Sequence, residues 1–321
     1  MRFVGAVLHE RTNIMIRLSA ITPSGQVHLG NYLGALRTWA REGTDEDVYF
    51  ISDLHAMTSS HNPQRLRSMT REQLAVLIAS GIAPASVCVQ SDLIRELGAL
   101  NWVLECTCTY GEAARMIQFK EKSLGRESVR LSLLTYPVLM AADILLQGTA
   151  EVPVGEDQLQ HVELARALAR RFNHAYGDAF IVPTAVVPKV GARIKDLSDP
   201  ARKMDKSAQN SAGVVFVLDD PDLVRRKVRR AVSSTEGIAN LTEILASCTG
   251  KDPEDYTSRF ADLKNVVAEA VIEELRPVRD RTLELLADPA ELDRIRASGA
   301  ERARERAQHR LNAALRLSGL S

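Results

Sequence analysis

The sequence is poor in cysteine and lacks the cysteine spacings that mark metal or disulfide proteins. The four cysteines stand at Cys88, Cys106, Cys108 and Cys248. They form no C-x-x-C pair and no paired His/Cys spacing, which argues against a zinc site. The absence of a disulfide framework is typical of the reducing cytoplasm, where we expect this chain to work.

The sequence also lacks a long apolar run and an excess of charge of either sign. No segment approaches the ~20 apolar residues that span a bilayer. The first apolar stretch is broken by His9, Glu10 and Arg11, so we expect neither a membrane partner nor a signal peptide. Because 41 basic residues balance 41 acidic ones, only local patches can indicate nucleic-acid contact.

The order of apolar segments predicts an α/β fold with a parallel sheet. Three strand-like segments alternate with two helical ones, in the order 14–21, 30–42, 47–56, 62–82 and 86–92. Such alternation predicts parallel strands joined by right-handed crossovers. Ligands bind at the carboxyl ends of such strands. We therefore expect the glycine-rich loop after the first strand, Asp53 and His55 to lie at a site.

The rest of the chain is predicted to be mostly helical. Helical segments at 135–147 and 155–172 flank a short strand at 151–154. After a lysine-rich loop and a short apolar stretch, the helical pattern continues to the C-terminus. The sequence thus divides into an N-terminal extension, an α/β domain and an all-helical domain, with the predicted ranges 1–14, 15–210 and 211–321.

The stretch TPSGQVHLGNYLGAL has some features of a phosphate-binding loop and lacks others. Gly25 and Gly30 have P-loop spacing. However, Asn31 and Tyr32 stand where a P-loop has lysine and a hydroxyl. One interpretation is a glycine-rich turn without a ligand. The other is a nucleotide site in which His28 donates to a phosphate at a helix N-terminus, with the positive charge supplied from elsewhere.

Positive charge occurs about 170 residues later, in the stretch ARKMDKSAQN. The two motifs HLGN (28–31) and KMDKS (203–207) together resemble the HIGH and KMSKS loops of the class I aminoacyl-tRNA synthetases. In that family the second loop is mobile and closes over the triphosphate of ATP. The resemblance implies a Rossmann-like catalytic domain whose loop lysines reach ATP when the loop closes.

The segment LLTYPVLMAADILL (133–146) predicts a helix with one acidic residue on an apolar face. Pro137 suits the first turn of a helix. Met140, Asp143 and Ile144 then share one face. A buried carboxylate needs a donor, so Asp143 either bonds a backbone group or accepts from a ligand. An indole N–H is a donor only, and Met140 offers a soft wall to an aromatic ring.

This helix and four further segments resemble the tryptophanyl-tRNA synthetases. The further segments are QFKEKS (118–123), VPVGEDQLQHVELAR (152–166), RFN (171–173) and VPKVGARI (187–194). The resemblance runs from about Leu18 to the C-terminus. The related tyrosyl-tRNA synthetases share the fold and both loops, but their pattern for binding a phenol has no match here.

The resemblance implies residues for tryptophan, ATP and catalysis. Asp143 accepts the indole N–H, while Tyr136 and Gln158 hold the ammonium group. The other implied tryptophan-binding residues are Met140, His55 and Gln118. The implied ATP-binding residues are Thr22, Pro23, Ser24, Gly30, Asn31, Gly155, Glu156, Asp157, Ile194, Lys203, Met204, Asp205, Lys206 and Ser207. The implied catalytic residues are His28, Asn31, Lys122, Lys203 and Lys206. For Lys122, a solvated position on a helix is the alternative.

The implied reaction has two steps. Tryptophan attacks the α-phosphate of Mg-ATP to give tryptophanyl-adenylate and pyrophosphate, and the 2′-hydroxyl of the terminal adenosine of tRNA(Trp) then takes the tryptophanyl group. The resemblance also implies a homodimer that packs through the stretch near 90–140, and no metal held tightly by the protein. Five positive charges between Arg225 and Arg230 indicate a contact with tRNA phosphates, with a solvated helix face as the alternative.

Several positions depart from that family. Asp205 stands where serine is usual, Leu18 and Ala20 replace the common phenylalanine and glycine, and about ten residues are missing after 233–237. We expect the Asp205 carboxylate to point away from the phosphates, because repulsion at ~5 Å would cost roughly 3 kcal/mol per charge pair. The departures leave two alternatives. One is a paralogue that adenylates tryptophan or an analogue for a non-tRNA acceptor, and the other is a catalytically weak binding module.

Overall fold

The computed structural model describes residues 15–125, 127–187, 194–205, 212–251 and 262–320. In those ranges no helix is long and apolar enough to cross a bilayer. The predicted N-terminal extension, Lys206 and Ser207 lie outside the described residues.

Five parallel strands form the centre of the α/β region. In chain order they are β1 (Leu18–Ile21), β2 (Val48–Ile51), β3 (Val87–Val89), β4 (Glu151–Pro153) and β5 (Thr184–Val186). The first three pair as β1-β2-β3, and β4 pairs with β5. A parallel bridge between Arg17 and Glu151 joins the two sheets. The spatial order is therefore β3-β2-β1-β4-β5, which is Rossmann-like and has its switch point between β1 and β4.

Helices cover the sheet and make up the C-terminal part. Those of the first part are α1 (Leu29–Asn31), a π-helical turn (Tyr32–Leu36), α2 (Arg37–Glu42), α3 (Asp53–Ala56), α4 (Pro63–Ala79), α5 (Ile94–Thr107), α6 (Tyr110–Ala114), α7 (Ile117–Ser123), α8 (Leu131–Gln147) and α9 (Leu159–Tyr176). Those of the second part are α10 (Pro221–Arg229), α11 (Thr235–Thr249), α12 (Leu263–Ala287) and α13 (Pro289–Leu317). Short 3₁₀ turns are Pro84–Ser86, Gln90–Leu93 and Glu156–Gln158.

The core lies on both faces of the sheet. All residues of β2 and β3 are buried, as expected for parallel strands covered by helices on two sides. Because successive side chains of a strand alternate, Ile51 and Val89 join one apolar cluster, while Phe50 and Cys88 join the other. The first cluster includes residues of α4, α11 and α12, and the second includes residues of α5, α8 and α9.

The last helix, α13, returns from the helical part and packs on β3. Its Gly299 lies so close to the strand that an added Cβ would overlap the carbonyl oxygen of Val87. Arg296 forms two hydrogen bonds, of 2.8 and 2.7 Å, to the carboxylate of Asp92. Gln147 of α8 donates to the carbonyl of Ala303 over 3.1 Å. These contacts fasten the C-terminal helix to the α/β core.

Two local predictions are wrong. The strand predicted to reach residue 56 ends at Ile51, because residues 53–56 form the helical turn α3. Its N–H groups at Leu54 and His55 donate to the side chain of Gln90. Pro137 is not in the first turn of its helix. It lies inside α8, which already begins at Leu131, so the helix lacks one backbone donor there.

Candidate active site

A cleft of about 1020 Å³ opens at the carboxyl ends of the strands, beside the switch point. It collects residues from the loop after β1 and from α3, α7, α8 and the turn after β4. The predicted site residues that line it are Thr22, Pro23, Ser24, His55, Gln118, Lys122, Tyr136, Met140, Asp143, Gly155 and Gln158. Residues far apart in the sequence thus face one volume.

Asp143 is held in the wall of this cleft by two side chains. Its residue is only 4% exposed. Gln90 Nε2 lies 2.9 and 2.8 Å from the two carboxylate oxygens. His55 Nε2 lies 3.0 Å from Oδ2. Over the part of the chain that the structure describes, the hydrogen-bond partners of Asp143 are therefore side chains. A carboxylate has about four acceptor positions, so these bonds leave it capacity for a further donor.

Gln90, at the end of β3, fixes the geometry of this wall. Its Oε1 accepts from the backbone N–H groups of Leu54 and His55, at 3.1 and 3.3 Å. Its amide nitrogen donates to Asp143. A flipped amide would place oxygen against carboxylate and NH₂ against N–H, so the partners allow only one orientation. Gln90 therefore caps α3 and orients Asp143 at the same time.

A second network surrounds Tyr136. Its hydroxyl lies 3.0 Å from Gln118 Oε1 and 2.8 Å from His161 Nε2. Gln118 Oε1 also accepts from Lys122 Nζ at 3.1 Å. Asp157 Oδ2 accepts from Gln158 Nε2 at 2.7 Å. Polar acceptors therefore concentrate at this end of the cleft.

His161 is buried beneath this network. The residue is 1% exposed, and its Nδ1 has no hydrogen-bond partner among the described residues. Burial lowers the pKa of His161 from 6.5 to about 4, and the positive charge of Lys122 acts in the same direction. Asp157 opposes the effect only weakly. The imidazole is therefore neutral near pH 7.

The lowered pKa of His161 predicts a pH-dependent stability. An unfolded histidine binds a proton below pH 6.5, whereas His161 binds one only near pH 4. The free energy of unfolding should therefore fall as pH drops through this interval, by up to about 3 kcal/mol for this group. Urea unfolding at several pH values should show a steeper loss in the parent than in His161→Gln. Equal slopes would contradict the assignment.

Buried polar contacts hold the glycine-rich loop after β1. Gln73 of α4 is fully buried, and its Nε2 donates to the carbonyls of Thr22 and Gly25 at 3.1 and 3.0 Å. Ser52 Oγ lies 3.1 Å from Thr22 Oγ1. The loop is thus anchored to the sheet and to α4 before any ligand binds.

His28 caps the helix that follows this loop. Its Nδ1 accepts from the N–H of Asn31 at 3.2 Å, and Asn31 Oδ1 accepts from the N–H of His28 at 3.4 Å. Because Nδ1 is an acceptor, a neutral His28 carries its proton on Nε2. Gly30 lies close to the imidazole of His28, since an added Cβ would lie 3.1 Å from Nδ1.

The lysine-rich loop starts from a short paired segment. Lys195 and Lys203 form an antiparallel bridge, and Asn240 of α11 bonds both the N–H and the carbonyl of Lys195. Met204 and Ile194 are buried in the core, while Lys203 and Asp205 are exposed. The described part of the loop is therefore anchored by Met204, with Lys203 at the surface.

The two signature loops share a common base. Leu29 donates its N–H to the carbonyl of Val215, and Val217 donates to Val27, at 2.8 and 2.9 Å. Lys227 of α10, buried over the ring of Phe216, donates to the carbonyl of Val214 at 2.7 Å. The segment after the lysine-rich loop thus pairs directly with the loop that carries His28.

The basic patch of α10 is smaller than its sequence indicates. Arg225 pairs with Glu269 and Asp222, at 2.7 and 2.9 Å. Lys227 is buried and pairs with Asp219. Within this patch, the exposed cations with no ion pair to another described residue are Arg226, Arg229 and Arg230.

Several residues that build the site were missed from the sequence. Gln90 had a usable signal, since it is a polar residue at the carboxyl end of a buried strand. Gln73, His161 and Asn240 lie within helices and carry no such signal. Over the described ranges, no group of three or more His, Cys, Asp or Glu side chains could hold a metal ion.

Comparison with known proteins identifies the family. A family model described as "tRNA synthetases class I (W and Y)" matches residues 11–278. Tryptophan–tRNA ligase 1 of Streptomyces coelicolor is 48% identical, over 94% of this chain and 96% of that protein. Tryptophanyl-tRNA synthetase of Mycoplasma pneumoniae matches with a TM-score of 0.84 and 30% identity, covering 96% of this chain and 98% of its own.

A second crystal structure, tryptophanyl-tRNA synthetase of Campylobacter jejuni complexed with ADP and tryptophan, gives a TM-score of 0.84 at 29% identity. That match covers 95% of this chain and 100% of that chain. The matched lengths are nearly complete on both sides. The predicted residues 22–24 and those of α7, α8 and the turn after β4 line one cleft, whereas residues 28–31 and 203–205 are not among its lining residues. The chain therefore belongs to the class I aminoacyl-tRNA synthetases, in the branch of the tryptophanyl-tRNA synthetases.

Proposed function

We propose that the chain is a tryptophan–tRNA ligase, in which Asp143 selects tryptophan. The observation that carries this proposal is the buried Asp143 carboxylate, held by Gln90 and His55 in the wall of the cleft. An ionised carboxylate accepts hydrogen bonds and an indole N–H only donates. Met140 lines the same cleft and offers a polarizable wall to the ring. Tyr136 and Gln158 hold the ammonium group at the other end.

ATP takes the part of the cleft next to the glycine-rich loop. Residues 22–24 and 30–31 lie just before and at the start of a helix, where anions bind well. Gly155, Glu156 and Asp157 meet the nucleoside, with Asp157 on the ribose, and Ile194 flanks the adenine. Mg²⁺ arrives with ATP as part of the substrate.

The first step depends on the positioning of the two substrates and on electrostatic stabilisation of the transition state. A carboxylate oxygen of tryptophan attacks the α-phosphorus, and pyrophosphate leaves. His28, Asn31 and Lys122 act from the cleft side, while Lys203 and Lys206 act from the lysine-rich loop. Five donors or cations around the phosphates stabilise the charge that develops there. The 2′-hydroxyl of the terminal adenosine of tRNA(Trp) then attacks the carbonyl, and AMP leaves.

Two assays test this function. Tryptophan-dependent pyrophosphate exchange measures the first step, and aminoacylation of total tRNA measures the second. Exchange without aminoacylation would favour the alternative, a paralogue that adenylates tryptophan or an analogue for a non-tRNA acceptor. No exchange with any of the twenty amino acids would reject the ligase and favour a binding module. We propose that the enzyme works in the cytoplasm and that residues 211–321 form a helical domain of the anticodon-binding type.

The exposed arginines at the C-terminal end of α10 and just after it are expected to contact tRNA phosphates. Reversing the charge of Arg226 and Arg230 should weaken tRNA binding and flatten its salt dependence, because each lost phosphate contact lowers the slope by about one. Adenylation should not change. The matched control reverses Arg41 and Arg170, which are exposed on the α/β part and change the net charge equally. The same salt slope in the arginine pair and the control would reject the contact.

We propose a homodimer that packs through α5, α6 and α7. Large apolar side chains stand exposed there, among them Trp102 at 65%, Tyr110 at 78% and Ile117 at 57%. Such a patch marks an interaction surface. Trp102→Glu should convert a dimer into a 35 kDa species in sedimentation at micromolar concentration, whereas Val266→Glu, on α12, should not. A parent chain that sediments as the monomer would contradict the proposal.

A further inference from the structure

The network around Tyr136 has a defined direction of hydrogen-bond donation. Gln118 Oε1 lies 3.1 Å from Lys122 Nζ, and an ammonium group only donates. Gln118 Nε2 lies 3.4 Å from the carboxylate of Asp157, which accepts. A flipped Gln118 amide would oppose both partners. Its oxygen therefore faces Tyr136, whose hydroxyl must donate to it over 3.0 Å.

This direction determines the tautomer of His161. The Tyr136 hydroxyl has one proton, and that proton is used towards Gln118. His161 Nε2, 2.8 Å from the same oxygen, must then donate its own N–H. A neutral imidazole has one N–H, so Nδ1 is left as an acceptor. Nδ1 is the buried atom that lacks a partner in the described part of the chain. The tautomer with its proton on Nε2 agrees with this, because it buries no N–H group without a hydrogen bond.

We propose that His161 is a positioning residue for the α-ammonium group of the amino acid substrate, acting through Tyr136. By donating to the phenolic oxygen, His161 keeps the hydroxyl proton on the Gln118 side. One lone pair of Tyr136 then remains as an acceptor for the ammonium. Without His161, the hydroxyl can rotate and present its proton to the ammonium, where two donors oppose each other. This inference rests on the proposed function.

The environment of His161 supports this role. The imidazole is buried and neutral near pH 7, so it adds no positive charge beside the ammonium site. A phenylalanine or leucine would fill a comparable volume without an N–H. A glutamine would keep a donor at similar reach. The role thus depends on one N–H group and can be tested by removing and restoring it.

The test compares tryptophan with indole-3-propionate, which has the same ring and carboxylate but no amino group. His161→Leu should raise the KM for tryptophan about tenfold or more in pyrophosphate exchange. The inhibition constant of indole-3-propionate and the KM for ATP should stay within about twofold. His161→Gln should recover most of the affinity for tryptophan. Tyr136→Phe should show the same selective loss, and combining it with His161→Leu should add little.

Different outcomes would reject the proposed function and the role of His161. A parent enzyme without tryptophan-dependent exchange would reject the proposed function itself. An active parent in which His161→Leu weakens tryptophan and indole-3-propionate equally would overturn the inference, because the residue would then only support the fold. Additive losses in the double variant would also overturn it, since His161 would not act through Tyr136.

Discussion

Replacing Asp143 by alanine is expected to lower tryptophan-dependent pyrophosphate exchange roughly a hundredfold or more. The change removes an acceptor for the substrate and takes away the carboxylate partner of Gln90 Nε2 and of His55 Nε2. A lost hydrogen bond to a charged group is worth roughly 1.5–3 kcal/mol, and stranded buried donors add to it. The loss should occur mainly in the KM for tryptophan, with the affinity for a non-hydrolysable ATP analogue nearly unchanged.

Asp47→Ala is the matched control for this variant. Asp47 is also a fully buried carboxylate, and it accepts from Arg17 and from the N–H of Thr44, at 2.7 and 2.8 Å. It precedes β2 and so lies at the amino end of the sheet, opposite the cleft. The Asp47→Ala variant should therefore lose thermal stability and keep the parental KM for tryptophan. Exchange by Asp143→Ala within threefold of the parent would show that Asp143 does not meet the substrate.

Gly299→Ala is expected to destabilise the fold by roughly 3 kcal/mol, which corresponds to about 5–10 °C in the thermal midpoint. The new methyl group would overlap the carbonyl oxygen of Val87 and lie 3.0 Å from its carbonyl carbon. Both atoms belong to the backbone of β3 and cannot move away as a flexible side chain would. Either α13 or the strand must therefore shift.

Gly98→Ala makes the same chemical change where there is space. Gly98 lies on the exposed side of α5, one turn before Trp102, and an added Cβ there meets nothing within 4 Å in the same subunit. Both glycine variants are therefore compared in the Trp102→Glu background, in which no partner subunit covers this face. Alanine favours a helix over glycine by about 0.8–1 kcal/mol, so Gly98→Ala should melt at the parental temperature or slightly above it. Calorimetry of the two variants decides the point. Equal midpoints would mean that α13 does not pack on β3 as described.

Local sequence patterns were enough to predict much of the fold. The buried runs of β1, β2 and β3 alternate with helical periodicity, and short-range order of that kind fixes the parallel sheet. The same holds for the face of α8, where Met140 and Asp143 lie one turn apart and both reach the cleft. These features depend only on residues close together in the chain.

Features that depend on distant residues could not be predicted. The turn Asp53–Ala56 was predicted to be strand. Its N–H groups are capped by Gln90, 36 residues after Leu54, and no local pattern in the sequence indicates this contact. Nothing in the sequence around Val215 indicates that it pairs with Leu29. Of the five cations between Arg225 and Arg230, only the structure separates buried Lys227 and paired Arg225 from the rest. Because long-range pairing leaves no local signal in the sequence, these parts of the site could be identified only from the structure.

The return of α13 to the sheet has a consequence for how the chain is made. Arg296 and Asp92 are 204 residues apart in the sequence, and Arg306 and Glu46 are 260 apart. On the ribosome, β3 is finished long before its covering helix has been translated. The outer strand, β3, therefore exposes apolar surface until then, and this surface can pair wrongly or bind a chaperone. Folding can be completed only after Pro289–Leu317 has emerged, so synthesis of this helix, and not synthesis of the catalytic residues, sets when activity can first arise.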